Sequence, residues 1–291
     1  MKQVDLQKMR ASCRLAAQTL QYAGTLVKAG ITTGEIDRLV HNFTVQHGAI
    51  PAPLNYKGFP RSCCTSVNDV VCHGIPGPLV LKDGDIVNID VTTILDGHFG
   101  DCNATFEIGE VKPEVHMFVL HTNMAMWAGI HQIKPGVKLG VVGQAIEAYA
   151  KSHGYSVVRD FGGHSIGTVF HGKPHVHHFA NNEGPILKPG DIFTVEPMIN
   201  MGDHRVKLDM GDGWTARTAD GSLSAQFENT VLVTEDGVEV LTVYEHDDVQ
   251  CQKCGCWSWV EGSDPRKWGW VQGAEDKWTC GKCIDGSGQG H

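Results

Sequence analysis

Four carboxylates stand where strands should be apolar. Asp90 closes "LKDGDIVNID" (Leu81–Asp90) among Ile86, Val87, Ile89 and Val91, while Asp101 lies in "GDCNATF", Glu196 in "DIFTVEPMI" and Glu228 in "SAQFENTVLVT". Aspartate is depleted in strands, and charges buried together repel and lose hydration unless cations neutralise them. A stretch at Phe161–Phe179, "FGGHSIGTVFHGKPHVHHF", supplies five of the sixteen histidines. His164 stands apart within it because Gly162-Gly163 lets the backbone approach a neighbour closely, whereas His175, His177 and His178 read as a loop. Asp90, Asp101, His164, Glu196 and Glu228 together make an oxygen-rich donor set with one imidazole. Such a set suits a pair of divalent ions better than a closed structural zinc site. Two ions ~3.5–4 Å apart activate water and polarise a carbonyl, so the chemistry indicated is metal-dependent hydrolysis. An arbitrary Asp pair is more often a solvated sheet face; the apolar neighbours of these residues argue against that here.

The elements that must position them are repeated. "LKDGDIVNID" returns as "LKPGDIFTVE" at Leu187–Glu196, 106 positions later, and "KAGITTGEIDRLVHNFTVQHG" (Lys28–Gly48) matches "KPGVKLGVVGQAIEAYAKSHG" (Lys134–Gly154) at the same offset. That period is too long for a solenoid and reads as a duplicated α/β half-domain. Each half opens with an amphipathic helix, about Leu6–Lys28 and about Glu114–Ile133, marked by Met9, Cys13 and Leu20 and by Phe118, Met126 and Ile130. A second helix follows, and in the first half Thr32 and Glu35 have capping-box spacing. The strand with the carboxylate comes next. Asp96-Gly97 between alternating β-branched residues marks a two-residue hairpin loop. That loop pairs Leu95 with His98, Thr92 with Asp101 and Asp90 with Asn103, which sets Asp90 and Asp101 on one face roughly 7–8 Å apart.

Composition narrows the class. With 41% apolar and 20% charged residues the 291-residue chain is a globular protein, and a net charge of −9 argues against a duplex nucleic-acid binder. The N-terminus lacks the apolar core of a signal peptide, and no stretch approaches a membrane span. A cytoplasmic location is therefore expected, in which the ten cysteines are not disulfide partners.

The motifs "VCHGIP" (Val71–Pro76), "NIDVT" with "GDCNATF", "GGHSIGTVFH", "TVEPMI" and "QFENTVLVT" resemble, in order and spacing, those of the type I methionine aminopeptidases, over roughly Leu6 to Val243. The resemblance implies an α/β (α+β) pita-bread fold, two pseudo-symmetric α/β halves around a curved antiparallel sheet that holds two metals. It implies that Asp90, Asp101, His164, Glu196 and Glu228 bind two divalent ions (Co, Mn, Fe or Zn), with Glu228 bridging and Glu196 also serving as proton shuttle. It further implies that His73 hydrogen-bonds the backbone beside the scissile bond and that His171 stabilises the oxyanion, with Thr92 supporting the metal ligands. Tyr56, Phe59, Cys64, Phe170 and Trp214 would form the methionine pocket, where aromatic and sulfur contacts suit a thioether. Ser165 replaces the commoner glycine after the histidine, and Gly172 stands where an acidic residue is frequent. The substrates implied are nascent polypeptide N-termini with a small second residue, acted on by a monomer. A proline-specific peptidase of the same fold and a catalytically silent binding protein are the competing readings.

Beyond this domain (1–246), the tail 247–291 carries Cys251-x2-Cys254 and Cys280-x2-Cys283, knuckles whose four thiolates suit one structural zinc, with Cys256 spare. Trp257, Trp259, Trp268, Trp270 and Trp278 lie in the same segment and either pack around the metal, the reading favoured for most of them, or bind a partner. The resemblance to type I enzymes, whose eukaryotic members carry an N-terminal zinc-binding extension linked to the ribosome, makes the ribosome a candidate partner.

Overall fold

The computed structural model describes residues 4–243 and, beyond them, 249–250, 257–258, 271–272 and 278–279. The chain divides into two units, Met1–Val243 and Tyr244–His291. In the second, Val249–Gln250 pairs antiparallel with Trp257–Ser258, and Val271–Gln272 with Trp278–Thr279. Cys251, Cys254, Cys256, Cys280 and Cys283 lie outside the described residues, and so does the zinc expectation attached to them.

The first unit consists of two halves built alike. Helix α1 (Leu6–Leu26) is capped by Asp5, whose side chain accepts from the Gln7 and Lys8 N–H groups; α2 (Thr33–Gln46) is capped by Thr32. Only half of the capping box forms, because Thr32 accepts the Glu35 N–H while the Glu35 carboxylate turns to the Arg38 guanidinium at 2.6–2.9 Å. Strand β1 (Cys64–Val67) and the hairpin β2 (Ile86–Leu95) and β3 (His98–Glu107) follow. The second half repeats the order with α3 (Pro113–Ile130), α4 (Val141–Ser152), β4 (Gly163–Ser165), β5 (Gly172–Val176), β6 (Ile192–Val195), β7 (Asn229–Val233) and β8 (Val238–Val240). Helices α1 and α3 stop two to three residues short of the extent their apolar pattern suggests. After each the backbone turns through a left-handed glycine, Gly30 (φ 93°) and Gly136 (φ 85°), which stand 106 positions apart.

The duplication extends to single hydrogen bonds. Gly30 N–H donates to Leu81 C=O at 2.8 Å and Gly136 N–H to Leu187 C=O at 2.9 Å. Asp85 accepts from the Lys82 N–H, and Asp191 from the Lys188 N–H, both at 2.8 Å. The turn before each carboxylate-bearing strand is therefore built the same way twice.

Alternation then sorts the strand faces. In β2 and β3, Val87, Ile89, Val91, Cys102 and Ala104 pack under α1 and α2 against Leu20, Ile36 and Val40. In β6 and β7, Phe193, Val195, Val231 and Val233 pack under α3 and α4 against Phe118, Met126 and Ile146. Each of the valine, isoleucine, leucine, phenylalanine and methionine side chains among them, fully buried, stabilises by about 1.5–3 kcal/mol. The opposite faces carry Asn88, Asp90 and Thr92 in one half and Thr194 in the other. The sheet of β2, flanked by β1 and β3, is joined to the sheet ordered β8-β7-β6-β4-β5 through the antiparallel bridge between Asn103 and Glu228. The polar faces meet at that seam.

Candidate metal centre

The hairpin sets the first two carboxylates. Asp96 (φ 49°) and Gly97 (φ 76°) form the left-handed loop, and the register runs Leu95 to His98, Thr92 to Asp101 and Asp90 to Asn103. Cys64 of β1 faces Asp90 from the other side. The Thr92 hydroxyl donates to Asp101 Oδ1 at 2.8 Å, and the Thr230 hydroxyl holds the Asp101 carbonyl at the same distance.

His164 arrives on β4, and its two preceding glycines show why they are needed. A Cβ on Gly163 would collide with the Thr194 carbonyl oxygen, and one on Gly162 would meet the Val176 carbonyl oxygen at 2.5 Å. The close approach lets the His164 N–H donate to the Thr194 hydroxyl at 3.0 Å. Nδ1 lies 3.3 Å from the Ser165 carbonyl, which can only accept, so the proton sits on Nδ1 and Nε2 presents a lone pair. That nitrogen is 3.6 Å from Asp101 Oδ2 and 3.7 Å from Glu196 Oε1. Ser165 spends its hydroxyl on the Ile192 carbonyl at 3.1 Å, a sheet contact rather than a site contact.

Glu196 directly follows β6, and its Oε1 accepts from the Thr194 hydroxyl at 2.6 Å. Glu228 is oriented by the Asn103 amide at 2.7 Å. One donor atom from each of Asp101, His164 and Glu228 lies within 4.8 Å of the others. Asp90 Oδ1 is buried without a hydrogen-bond partner.

The electrostatics follow from this crowding. Burial pushes Asp90 up to about 7 and Glu196 up to about 8. Burial, with repulsion from the neighbouring carboxylates, holds Asp101 and Glu228 well above the usual carboxylate range. Burial lowers His164 to about 4. A buried site holding four acids, one orphaned carboxylate oxygen and one imidazole lone pair is the donor chemistry divalent cations fit.

The remaining expected residues contact one another through their rings, and His171 also meets His164. His171 Nδ1 lies 2.9 Å from the Tyr56 hydroxyl, and its ring centroid is 4.3 Å from that of His164. Burial is the first cause holding His171 down at about 3. Tyr56 packs on Phe170 with centroids 4.8 Å apart. On the other side Trp214 meets Phe59 edge-on at 5.2 Å and His73 at 6.0 Å. His73 adopts a left-handed backbone (φ 56°), and its burial lowers its pKa.

Sequence reasoning missed the residues behind this shell. His178, read as loop, is buried and its Nε2 accepts the Glu196 backbone N–H at 3.1 Å. Gln226 donates to the Glu196 carbonyl and to Oε2 at 3.2 and 3.3 Å. Thr194 and Asn88 occupy equivalent places in the repeated phrase, each two residues before its carboxylate and hence on the same face; that polar pair was the available signal. His178 and Gln226 carry no comparable pattern.

Comparison with known proteins identifies the family. The model of metallopeptidase family M24 matches residues 7–235. The methionine aminopeptidase of Rickettsia prowazekii is 53% identical over 240 residues, covering 82% of this chain and 93% of that relative. The crystal structure of methionine aminopeptidase from the same organism superposes with a TM-score of 0.81 at 52% identity, covering 84% of this chain and 100% of that one. The prolidase of Pyrococcus furiosus shares the fold alone, with a TM-score of 0.66 at 18% identity over 83% of this chain and 64% of that one.

Proposed function

This chain belongs to metallopeptidase family M24 and, within it, to the methionine aminopeptidases, and from that premise we propose that it removes the N-terminal methionine from nascent chains whose second residue is small. It is a hydrolase of the pita-bread fold. The observation that carries the reading is the convergence of Asp101, His164 and Glu228 within 4.8 Å, beside the buried carboxylates of Asp90 and Glu196. Those five residues would hold two divalent ions. When bound, such ions supply Lewis-acid polarisation of a carbonyl and a more acidic water.

The protein's own groups do the rest. Glu196, fixed through Thr194, Gln226 and His178, takes the proton of the attacking water and passes it to the leaving amine. With the Tyr56 hydroxyl donating to Nδ1, His171 carries its proton on Nε2 and donates it to the scissile carbonyl oxygen. His73 supports the backbone beside the bond. Tyr56, Phe59, Cys64, Phe170 and Trp214 receive the methionine side chain, whose unbranched thioether slides between aromatic faces where a branched side chain would clash.

Substituting Asp101→Asn removes a charge the cations require, and hydrolysis of Met-Ala-Ser is expected to fall by more than about 100-fold. Retained activity would refute the metal assignment. Measured beside an Xaa-Pro peptide, the same assay separates this reading from a prolidase, which would cleave the proline substrate faster. Action on nascent N-termini places the enzyme in the compartment of protein synthesis. Among the described residues no helix is long and apolar enough to cross a membrane.

A further inference from the structure

Two pocket walls meet in one strained turn. Among the described non-glycine residues five have positive φ, and three of them, Asn55 (67°), Lys57 (47°) and His73 (56°), are expected site residues or their chain neighbours. The turn is braced by backbone bonds from Asn55 N–H to Phe59 C=O at 2.8 Å, Tyr56 N–H to Pro53 C=O at 3.0 Å and Phe59 N–H to Tyr56 C=O at 2.9 Å. Tyr56 leads to His171 and Phe59 to Trp214, so Lys57 stands exposed between two residues that line the pocket. Its ammonium lies 5.2 Å from the Tyr56 ring centroid, and that ring stacks on His171 with centroids 5.1 Å apart. A left-handed backbone at a residue other than glycine costs about 1–3 kcal/mol and persists only where surrounding bonds impose it. The backbone of the turn is therefore fixed, and from it the Lys57 ammonium reaches the Tyr56 ring on the His171 side.

The Trp214 loop carries two exposed carboxylates, Asp209 and Asp212, each tied down by its own loop. On the Trp214 loop, Asp212 accepts from the Trp214 N–H, the Thr215 N–H and the Thr215 hydroxyl, and Asp209 accepts from the Gly211 N–H. Those carboxylates are turned into their own loop. Gly172, next to His171, adds no charge.

We propose that Lys57 is a specificity-determining residue that reads the charge of the substrate just past its small second residue, favouring an acidic side chain at the third position. The inference rests on the function proposed above, which puts the scissile carbonyl at His171 and so brings the residues beyond it within reach of the Tyr56 and Lys57 side.

The test compares Met-Ala-Asp-Ser with Met-Ala-Lys-Ser, each normalised to Met-Ala-Ser, in the full chain loaded with Mn or Co. The wild-type kcat/KM ratio of acidic to basic peptide is expected at about three- to five-fold, the size an exposed charge pair gives. Lys57→Ala should bring it to about one and Lys57→Glu should invert it. Salt at about 0.5 M should flatten the wild-type ratio. Both variants keep a β-carbon at the left-handed position, so backbone strain is held constant. An equal ratio in all three proteins, with Met-Ala-Ser cleaved normally, overturns the role of Lys57 and leaves the peptidase reading intact. Failure of the wild type on Met-Ala-Ser overturns both.

Discussion

At His178 the ring nitrogen Nε2 accepts the Glu196 backbone N–H at 3.1 Å, inside a position with 1% exposure. The acceptor role fixes the proton on Nδ1, and the ring stays neutral because burial is the first cause holding it down at about 3. His178→Ala would leave a buried N–H unpaired at a cost of about 1–3 kcal/mol. The expected result is a lower Tm and a kcat reduced about ten-fold with little change in KM, and His178→Gln, which restores an acceptor, should recover much of the kcat. Equal kcat in wild type and both variants would remove His178 from the positioning of Glu196. The contrast with Asp90 is instructive about legibility. Asp90 was readable because a carboxylate interrupts Ile86, Val87, Ile89 and Val91, whereas a histidine among histidines has no background to stand against.

Among elements, the hairpin was readable to the residue because Asp96-Gly97 admits one loop geometry, and that geometry dictates every cross-strand pair. The approach of β4 to β6 was readable only as a need for glycine, since the partner strand lies some thirty residues further along the chain. Gly163→Ala tests it: the added carbon would strike the Thr194 carbonyl and push β4, with His164, off β6. Overpacking of this kind costs about 1–3 kcal/mol. Weaker binding of divalent ions and a kcat/KM at least about ten-fold lower are expected. Unchanged metal affinity in calorimetry would show that the sheet absorbs the clash. The half-formed capping box marks the limit of local pattern, because Arg38, one turn along, takes the Glu35 carboxylate that the box would turn back to the Thr32 N–H.

For the molecule as a whole the acidic seam sets a pH dependence. Asp90 at about 7 and Glu196 at about 8 bind protons in the folded protein that the unfolded chain has already released. Their contribution is full below the ordinary carboxylate range and lost as pH rises through about 7 to 8. His164 and His178, lowered to about 4 and about 3, contribute oppositely; their share is full above about 6.5 and lost as pH falls toward those values. Between pH 6.5 and 8.5 the carboxylate loss therefore outweighs what the histidines still gain. Metal-free protein should melt several degrees lower at the upper pH, at about 2–4 °C per kcal/mol, and saturating Mn or Co should erase the difference. A metal-free Tm that rises with pH would contradict the seam's electrostatics. The bridge between Asn103 and Glu228 also has a consequence for biosynthesis. Glu228 follows Asp90 by 138 residues, so the donors of the first half leave the ribosome long before those that complete them. Domains fold as units during synthesis, and the proposed donor set of this one is complete only once the segment carrying Glu228 has been made, so a partly translated chain lacks the full set and is inert toward its neighbours' N-termini.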